Sequence, residues 1–272
     1  MKKYINYAYF AIMAVAAELG AGCNSSAKWN DLEFYQVEKV EYLTEDVKEE
    51  DKDEGYALLF GDKPRELDVK VDMQFLKSNN EENAQVCQLI NSQLIELLLK
   101  QSSELGIDKA IEQYIEEVKA EFRSDIAHAY YDYLTGEAEY GIENVINYRL
   151  SESVYTGGAH PSNTTTILRF NAMTGEFIAL DNVFPTANQN QLKERLLDKL
   201  MAKNGVQTME ELNKIGYLEW MDMFVSTNFA LRQDSIEFYY NEYDIAPYAY
   251  GASTICLSYQ EVQDLLSTTY EQ

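Results

Sequence analysis

The sequence is poor in the residues that build metal centres and nucleophilic sites. It has two histidines and three cysteines in 272 residues, and no two cysteines lie at the spacing of a zinc-ligand pair. It contains neither a G-x-S-x-G motif nor a glycine-rich phosphate loop. These absences argue against a zinc enzyme, against a serine hydrolase of the nucleophile-elbow type and against a nucleotide-binding site. We therefore predict no metal and no cofactor.

Basic residues are also scarce. The chain has 22 Lys and Arg against 46 Asp and Glu, which gives a formal net charge of −24. Binding a polyanion requires Lys and Arg, so nucleic acid is not an expected partner. A surface this acidic attracts cationic partners, although the charge can equally serve solubility alone.

The sequence contains no apolar run long enough to span a bilayer, which needs roughly 20 residues. The apolar segment 8–17 has ten residues, follows two lysines and has the length of a signal-peptide core. Small residues then precede Cys23, in an arrangement similar to a lipobox, where the cysteine is lipidated. We predict a signal peptide at 1–22 and a lipoprotein tether at 23–30. The alternative is an ordinary secretory signal in which Cys23 is incidental.

These predictions place the protein in the cell envelope, extracytoplasmic and bound to the membrane through a lipid anchor only. In that oxidising location Cys87 and Cys256 could form a disulfide. Both lie within apolar patterns, so two free thiols are the other possibility.

Hydrophobic periodicity predicts an α+β fold. Residues 66–76 alternate, with Leu67, Val69, Val71, Met73 and Phe75 on one face, which is typical of a half-buried strand. The remaining predictions are strands at 31–43 and 143–156, a hairpin at 164–180, two strands within 235–259, and helices at 82–100, 108–122, 189–203, 208–215 and from Ser258 onward. The first helix carries one apolar stripe, formed by Val86, Leu89, Ile90, Leu94, Leu97 and Leu98, and on the second Ile111, Tyr114, Ile115, Val118 and Phe122 line up. Capping boxes are expected at Thr208 with Glu211 and at Ser258 with Glu261. The second helix is expected to continue through His128 into AHAYYDYL.

This order predicts mainly antiparallel sheets with helices packed on one side. A break near TGEAEYG separates two α+β domains, at 31–140 and 141–272.

Tyrosine is abundant, with 21 residues against 11 Phe. Tyrosine-rich surfaces suit protein interfaces and sugars, and a tyrosine-rich core is the alternative. The loop NEYDIAPYAYGAS holds Tyr243, Tyr248 and Tyr250, which are candidate binding residues. Pro247 and Gly251 are expected to shape its backbone.

The segment VYTGGAHPSN contains His160 beside two glycines. Gly157, Gly158 and Pro161 are assigned a structural role in the turn, and Tyr155 and His160 are candidate binding residues. No nucleophile, base or metal ligand pairs with His160 in the sequence. We expect a structural histidine that hydrogen-bonds across the turn; a role in chemistry is the alternative.

Three ordered motifs resemble a bacterial domain family found in exported proteins: YTGGAHP at 155–161, FNAMTGEFIALDNVF at 170–184 and FYYNEYDIAPYAYG at 238–251. The two-domain layout is similar to the lysozyme-binding extracytoplasmic region of an anti-sigma factor. It also resembles the non-catalytic part of peptidoglycan deacetylases and lipoproteins of unknown function from Bacteroides-type bacteria. The resemblance implies an α+β fold and no activity by itself. The deacetylase catalytic domain and the membrane helix of the anti-sigma factor are not recognisable here.

The expected function is that of a lipid-anchored, non-catalytic binding module. Its partner would be a cationic cell-wall-active protein such as lysozyme, or peptidoglycan. One alternative is a cell-wall glycan hydrolase that uses Asp and Glu carboxylates. A structural envelope lipoprotein with only protein partners is another.

Overall fold

The computed structural model describes residues 7–8, 32–47, 63–78, 80–124 and 128–270. The chain divides into two compact units. The N-terminal unit comprises Asn30–Glu137 with Leu150–Asn163, and the C-terminal unit comprises Ala138–Arg149 with Thr164–Gln272. Each unit is thus built from two chain segments, whereas the sequence predicts one boundary, after residue 140. Cys23 and all of the predicted signal peptide except Tyr7–Ala8 lie outside the described residues.

The strands are β1 (Tyr7–Ala8), β2 (Leu32–Glu45), β3 (Arg65–Ser78), β4 (Ala129–Tyr140), β5 (Val145–Tyr155), β6 (Ser162–Asn171), β7 (Phe229–Leu231), β8 (Ser235–Tyr240) and β9 (Ser253–Ser258). They form two sheets, with orders β1-β2-β3-β4-β5-β6 and β7-β8-β9. The pairs β1–β2, β2–β3, β7–β8 and β8–β9 are antiparallel and β3–β4 is parallel. This confirms the α+β class with mainly antiparallel sheets.

The helices begin where polar side chains cap them. Asn80, Thr208 and Ser258 each accept a hydrogen bond from the backbone N–H three residues later. The α-helices are α1 (Glu81–Leu94), α2 (Ile107–Ser124), α3 (Leu180–Val183), α4 (Gln189–Lys203), α5 (Met209–Lys214) and α6 (Tyr259–Val262), with a π-helical turn at Ile95–Leu99 and 3₁₀ turns at Ser103–Leu105, Thr186–Asn188 and Tyr248–Tyr250. Among the described residues, no helix combines the length and the apolarity needed to cross a bilayer.

The N-terminal unit is built on the alternation of β3. Its five apolar side chains on one face, from Leu67 to Phe75, are at most 2% exposed. They pack with the apolar stripe of α2, in which Ile111, Ile115 and Phe122 are buried. Both patterns confirm the sequence prediction. Since β3 and β4 are parallel, the chain has to cross over between them, and α1 and α2 form this crossover.

The predicted continuation of α2 into AHAYYDYL is wrong, because this segment forms the start of β4. Tyr130, Asp132 and Leu134 are buried and alternate with half-buried tyrosines, which is a period of two rather than 3.6. His128 lies directly before the strand, where its carbonyl accepts a 2.9 Å hydrogen bond from the Glu66 N–H.

The predicted hairpin at 164–180 forms only in part. β6 ends at Asn171, and the returning segment makes a single bridge, Phe170 to Phe177, instead of a second strand. Gly175 lies in the turn with φ +74°, a conformation that favours glycine. The Asn171 side-chain oxygen accepts from the N–H groups of Met173 and Thr174, so side-chain bonding supports the turn.

The C-terminal unit packs α4 and α6 against the three-stranded sheet around Phe184, Phe229 and Phe238, none of which is exposed. Asn147 of β5 is also fully buried. Its amide donates to the Leu231 carbonyl and accepts from the Leu231 N–H, both at 3.0 Å, and so pairs with the backbone of β7 as a neighbouring strand would.

Cys87 and Cys256 are both free thiols. Cys87 is buried and Cys256 is exposed. Burial raises the pKa of Cys87 to about 11, so its thiol is protonated at neutral pH.

Candidate functional site

An exposed aromatic surface lies on two segments of the C-terminal unit, residues 215–224 and 241–251. We call its four most prominent rings, Trp220, Phe224, Tyr243 and Tyr250, the aromatic patch. Trp220 is 81% exposed, Tyr243 56%, Tyr250 50% and Phe224 40%. Met221 and Ile215 add further exposed apolar side chains. Large apolar groups clustered on a soluble surface are a usual sign of a binding site.

Backbone and ring contacts hold the two segments together. The Leu218 N–H donates to the Ile245 carbonyl at 2.9 Å, so Trp220 and Tyr243 each lie two residues from this bond. The ring of Tyr250 packs edge-on against Tyr217 at 5.4 Å. The patch is therefore carried by a fixed scaffold rather than by two independent loops.

A second connection lies beneath Phe224. The Tyr240 hydroxyl of β8 donates to the Phe224 carbonyl at 2.9 Å, and the two rings lie 5.3 Å apart. Burial raises the pKa of Tyr240, so the hydroxyl keeps the proton that makes this bond. The patch is thereby tied to the hydrophobic core.

The backbone of the patch is strained at two positions. Leu218 has φ +53° and Tyr243 has φ +71°, and neither is glycine. The left-handed region costs a non-glycine residue roughly 1–2 kcal/mol, and such residues cluster at functional sites. At Tyr243 this conformation accompanies an exposed ring that lies 5.9 Å from Tyr248.

Pro247 and Gly251 lie at either end of the 3₁₀ turn Tyr248–Tyr250. Pro247 has φ −60° and precedes the turn, and Gly251 has φ +67° and follows it. Gly216 has φ +90°, and a Cβ there would lie 3.0 Å from the Tyr250 hydroxyl. Gly216 was not recognised from the sequence, because the need for a glycine here depends on the ring of Tyr250, 34 positions away.

The charge of the patch has one sign. Its two segments contain Glu219, Asp222, Glu242 and Asp244, and neither contains Lys or Arg. Glu219 and Asp222 are exposed. Burial raises the pKa of Asp244, whose carboxylate accepts a 2.6 Å hydrogen bond from the Asn241 N–H. The patch thus combines aromatic rings with negative charge.

The YTGGAHP segment belongs to the N-terminal unit. Gly157 has φ +84° and Gly158 has φ +135°, so both occupy backbone conformations that favour glycine. The Tyr155 hydroxyl donates to the Gly158 carbonyl at 3.1 Å, and its ring stacks on Tyr131 at 5.7 Å. Tyr155 thereby links the turn to β4.

His160 is exposed, and its Nδ1 lies 2.7 Å from the carbonyl oxygen of the adjacent Pro161. The structure assigns Tyr155 and His160 to one unit and Tyr243, Tyr248 and Tyr250 to the other. The expected hydrogen bond of His160 across the turn stays a prediction.

A strongly perturbed carboxyl group, Asp132, lies on β4 in the N-terminal unit. Asp132 is only 6% exposed, and the Tyr114 hydroxyl lies 2.9 Å from both of its oxygens. Burial raises its pKa to about 6, and the negative charges of Glu152 and Glu121 act in the same direction. Raised carboxyl pKa values are typical of acid–base catalysts, but this group lies under α2 and bonds to a residue of that helix.

Asp132 was not recognised as a buried carboxyl group from the sequence. Asp132 alternates with the same period of two as the buried residues Tyr130 and Leu134, which would have placed it on the buried face of a strand. The helical interpretation of this segment concealed that pattern. In the described part of the chain, no three His, Cys, Asp or Glu side chains are grouped to hold a metal ion.

Comparison with known proteins locates the patch within a recognised segment. Residues 181–260 match the family model DUF3298, described as a protein of unknown function. The match includes both segments of the aromatic patch. No curated protein matches the chain.

Two solved structures share the fold. A DUF3298 family member from Bacteroides fragilis is 26% identical, with 87% of this chain and 94% of that chain covered and a TM-score of 0.72. A DUF3298 family protein from Pseudomonas aeruginosa is 14% identical, with 86% and 94% covered and a TM-score of 0.56. The second likeness concerns the fold alone.

Proposed function

We propose that the protein is a lipid-anchored extracytoplasmic binding module without catalytic activity, and that the aromatic patch docks a cationic cell-wall-active protein of the lysozyme type. The observation that carries this proposal is the combination of exposed rings and carboxylates without Lys or Arg in residues 215–224 and 241–251. Both segments lie within the stretch that matches a family of unknown function, and this match identifies neither a site nor a partner.

The chemistry of the patch suits cationic side chains. Arg and Lys bind over Trp and Tyr faces through cation–π attraction, and carboxylates beside the rings supply ion pairs. Trp and Tyr are also the residues that most often dominate interface energies. The overall charge of −24 would increase the rate of encounter with a cationic partner.

A titration with hen-type lysozyme at low and high salt tests the proposal. Trp220→Ala and Tyr243→Ala are expected to weaken binding by about 2 kcal/mol each, as interface hot spots do. Tyr42→Ala is the matched control, because Tyr42 is 54% exposed but belongs to the N-terminal unit. It should bind as the wild type does.

Absence of binding at low salt would remove the lysozyme version of the proposal. Equal affinity at low and high salt would show that charge does not drive the interaction. In that case the neutral sugars of peptidoglycan, which also stack on aromatic rings, become the expected ligand, and a pull-down with purified peptidoglycan decides it.

The hydrolase alternative has its own test. Release of soluble fragments from purified peptidoglycan, abolished by Asp132→Asn, would establish it and would contradict a purely binding role. We expect no release, because Asp132 is buried and hydrogen-bonded to Tyr114.

The lipid anchor is tested by mass spectrometry of the mature protein from its host. Lipidation is expected on Cys23 and should be absent in Cys23→Ser. An unmodified N-terminus elsewhere would indicate an ordinary secretory signal. Cleavage before Cys23 also removes Tyr7–Ala8, so the pairing of β1 with β2 would belong only to the precursor.

A further inference from the structure

Arg169 of β6 is a buried cation without a carboxylate beside it. Its side chain is only 1% exposed. Burial lowers its pKa to about 9, and the phenol of Tyr270 acts in the opposite direction. Buried charges are normally paired with an opposite charge, so the environment of Arg169 is unusual.

Four backbone carbonyls accept hydrogen bonds from the guanidinium. Its ring-stacked neighbour is Phe229, 3.7 Å from the guanidinium carbon. The Nη2 group donates no hydrogen bond to any residue that the structure describes. The bonds that do form run from Nε to Ile178 O at 3.0 Å and from Nη1 to Ile167 O at 2.9 Å, Thr227 O at 3.1 Å and Phe229 O at 2.8 Å.

Arg169 lines a cavity of about 450 Å³ in the C-terminal unit. This volume lies in the range of small-molecule sites. Thr166 and Thr227 are polar residues of the lining, and Phe177 and Leu180 are apolar ones. None of the described residues around the cavity is acidic, although the chain has 46 Asp and Glu residues.

Two asparagines add further donors to the lining. Asn228 donates one amide hydrogen to the Thr165 carbonyl at 2.6 Å, and Asn241 donates one to the same carbonyl at 3.2 Å. Their side-chain oxygens accept from the N–H groups of Ile167 and Thr165. An amide NH₂ carries two hydrogens, so each asparagine keeps one donor without an acceptor in the described residues.

We propose that this cavity binds a small organic carboxylate, such as the C-terminal carboxylate of a short peptide with small side chains. The carboxylate would accept from Arg169 Nη2 and from the asparagine amides, and the apolar lining residues would hold an adjacent methyl or methylene group. A single guanidinium balances a monoanion, whereas a phosphate dianion would keep one charge without a counter-charge among the lining residues. This site is independent of the aromatic patch and of its partner.

The decisive experiment is an NMR titration of the wild-type protein in a low-chloride buffer with two probes. N-acetyl-alanine carries a carboxylate, and N-acetyl-alaninamide is its neutral amide. The two probes have nearly the same size and differ in the carboxylate. We expect saturable shifts at residues of the cavity and binding of the acid that is about tenfold tighter, or roughly 1.4 kcal/mol. Equal affinity for acid and amide, or no saturable binding of the acid, would overturn the proposal.

A variant locates the binding. Ala179 lines the cavity and makes no contribution to the donor set, so Ala179→Trp should fill the space and abolish binding of N-acetyl-alanine. Ala202→Trp is the control, since Ala202 is exposed on α4 and outside the lining. Retained binding in a folded Ala179→Trp protein would place the ligand elsewhere. Should that variant fail to fold, the comparison of acid with amide still decides the proposal.

Inorganic phosphate is the third probe. We expect it to compete with N-acetyl-alanine only weakly. Tight phosphate binding together with no response to the carboxylate would show that the ligand class is wrong.

Discussion

Asp132 of the N-terminal unit and Arg169 of the C-terminal unit are both buried, but they are of opposite charge type and have different partners. In the N-terminal unit, Asp132 is held by a single hydroxyl, that of Tyr114, and its pKa rises to about 6. In the C-terminal unit, Arg169 donates to four backbone carbonyls. A buried carboxyl group avoids the cost of desolvating a charge by taking up a proton. The guanidinium of Arg169 keeps its charge at neutral pH, so hydrogen bonds within the protein have to replace its hydration.

The tyrosines of β4 and those of the aromatic patch also differ in their surroundings. On β4, the rings of Tyr131 and Tyr133 stack on each other at 4.7 Å, and the Tyr133 hydroxyl donates to Asp68 at 2.5 Å. These tyrosines make their contacts with each other and with neighbouring side chains of the sheet. In the C-terminal unit, Tyr243 and Tyr250 direct half or more of their surface to solvent. The same residue type thus builds a sheet face in one unit and a candidate docking surface in the other.

The largest effect is expected at Arg169. Arg169→Met removes the charge but leaves four carbonyls without their donor, so we expect a loss of about 3–5 kcal/mol in the free energy of unfolding. Urea unfolding measures this. Arg123→Met is the control, because that side chain is 45% exposed, and its loss should stay below about 1 kcal/mol. Similar losses for both variants would contradict the role assigned to the buried guanidinium.

The next effect depends on pH. The folded pKa of Asp132, about 6, lies above the unfolded value of 3.8. The contribution of protonated Asp132 to the free energy of unfolding is therefore fully present below the unfolded-state pKa of 3.8. It is lost as the pH rises through the folded-state pKa of about 6. Asp132→Asn cannot ionise, so it should be more stable than the wild type above that window, by roughly 3 kcal/mol at most.

Unfolding curves measured across this pH range check the prediction. The gain from Asp132→Asn should disappear in acid. A gain that is constant with pH would show that the ionisation of Asp132 is not its cause.

A smaller effect is expected in the YTGGAHP turn. Gly157→Ala forces a side chain into φ +84° and should cost roughly 1–2 kcal/mol. His160→Ala removes an exposed ring and should cost only about 0.5 kcal/mol. Thermal unfolding measures both. A folded His160→Ala protein of unchanged stability that has lost binding would identify the turn as a site.

The smallest effect on stability is expected in the aromatic patch. Trp220 is 81% exposed, so Trp220→Ala should change the free energy of unfolding by less than about 0.5 kcal/mol. Lysozyme titration of the same variant measures the binding loss described above. Loss of stability in parallel with binding would indicate that the tryptophan supports the fold instead of a partner.

Local patterns predicted the elements whose side chains follow one period. The alternation from Leu67 to Phe75 is confirmed at every position, and the predicted stripe of α2 is buried except at Tyr114, which is half-buried. In α1 the prediction is only partly confirmed, since Leu89 and Leu97 are 43% and 50% exposed. Leu97 lies in the π-helical turn, which adds a residue per turn and rotates the apolar stripe. For Leu89 the structure offers no explanation.

The candidate sites were less accessible to prediction. Tyr243 and Tyr250 were identified from loop composition, but Trp220 was not, because nothing local separates an exposed tryptophan from a buried one. Asp132 was concealed by the helical interpretation of β4. Arg169 was missed because three of its four acceptor carbonyls belong to residues 178, 227 and 229.

The sequence by itself determined the α+β class, the faces of β3 and α2, and the caps at Thr208 and Ser258, since each depends on side-chain directions that the backbone fixes within a few residues. Only the tertiary structure decided that Asp132 and Arg169 are buried, that β3 and β4 run parallel, and that residues 215–224 join the 241–251 loop. Those features depend on contacts between residues far apart in the chain. Burial and the free energy of a charge are properties of such contacts and not of the local pattern.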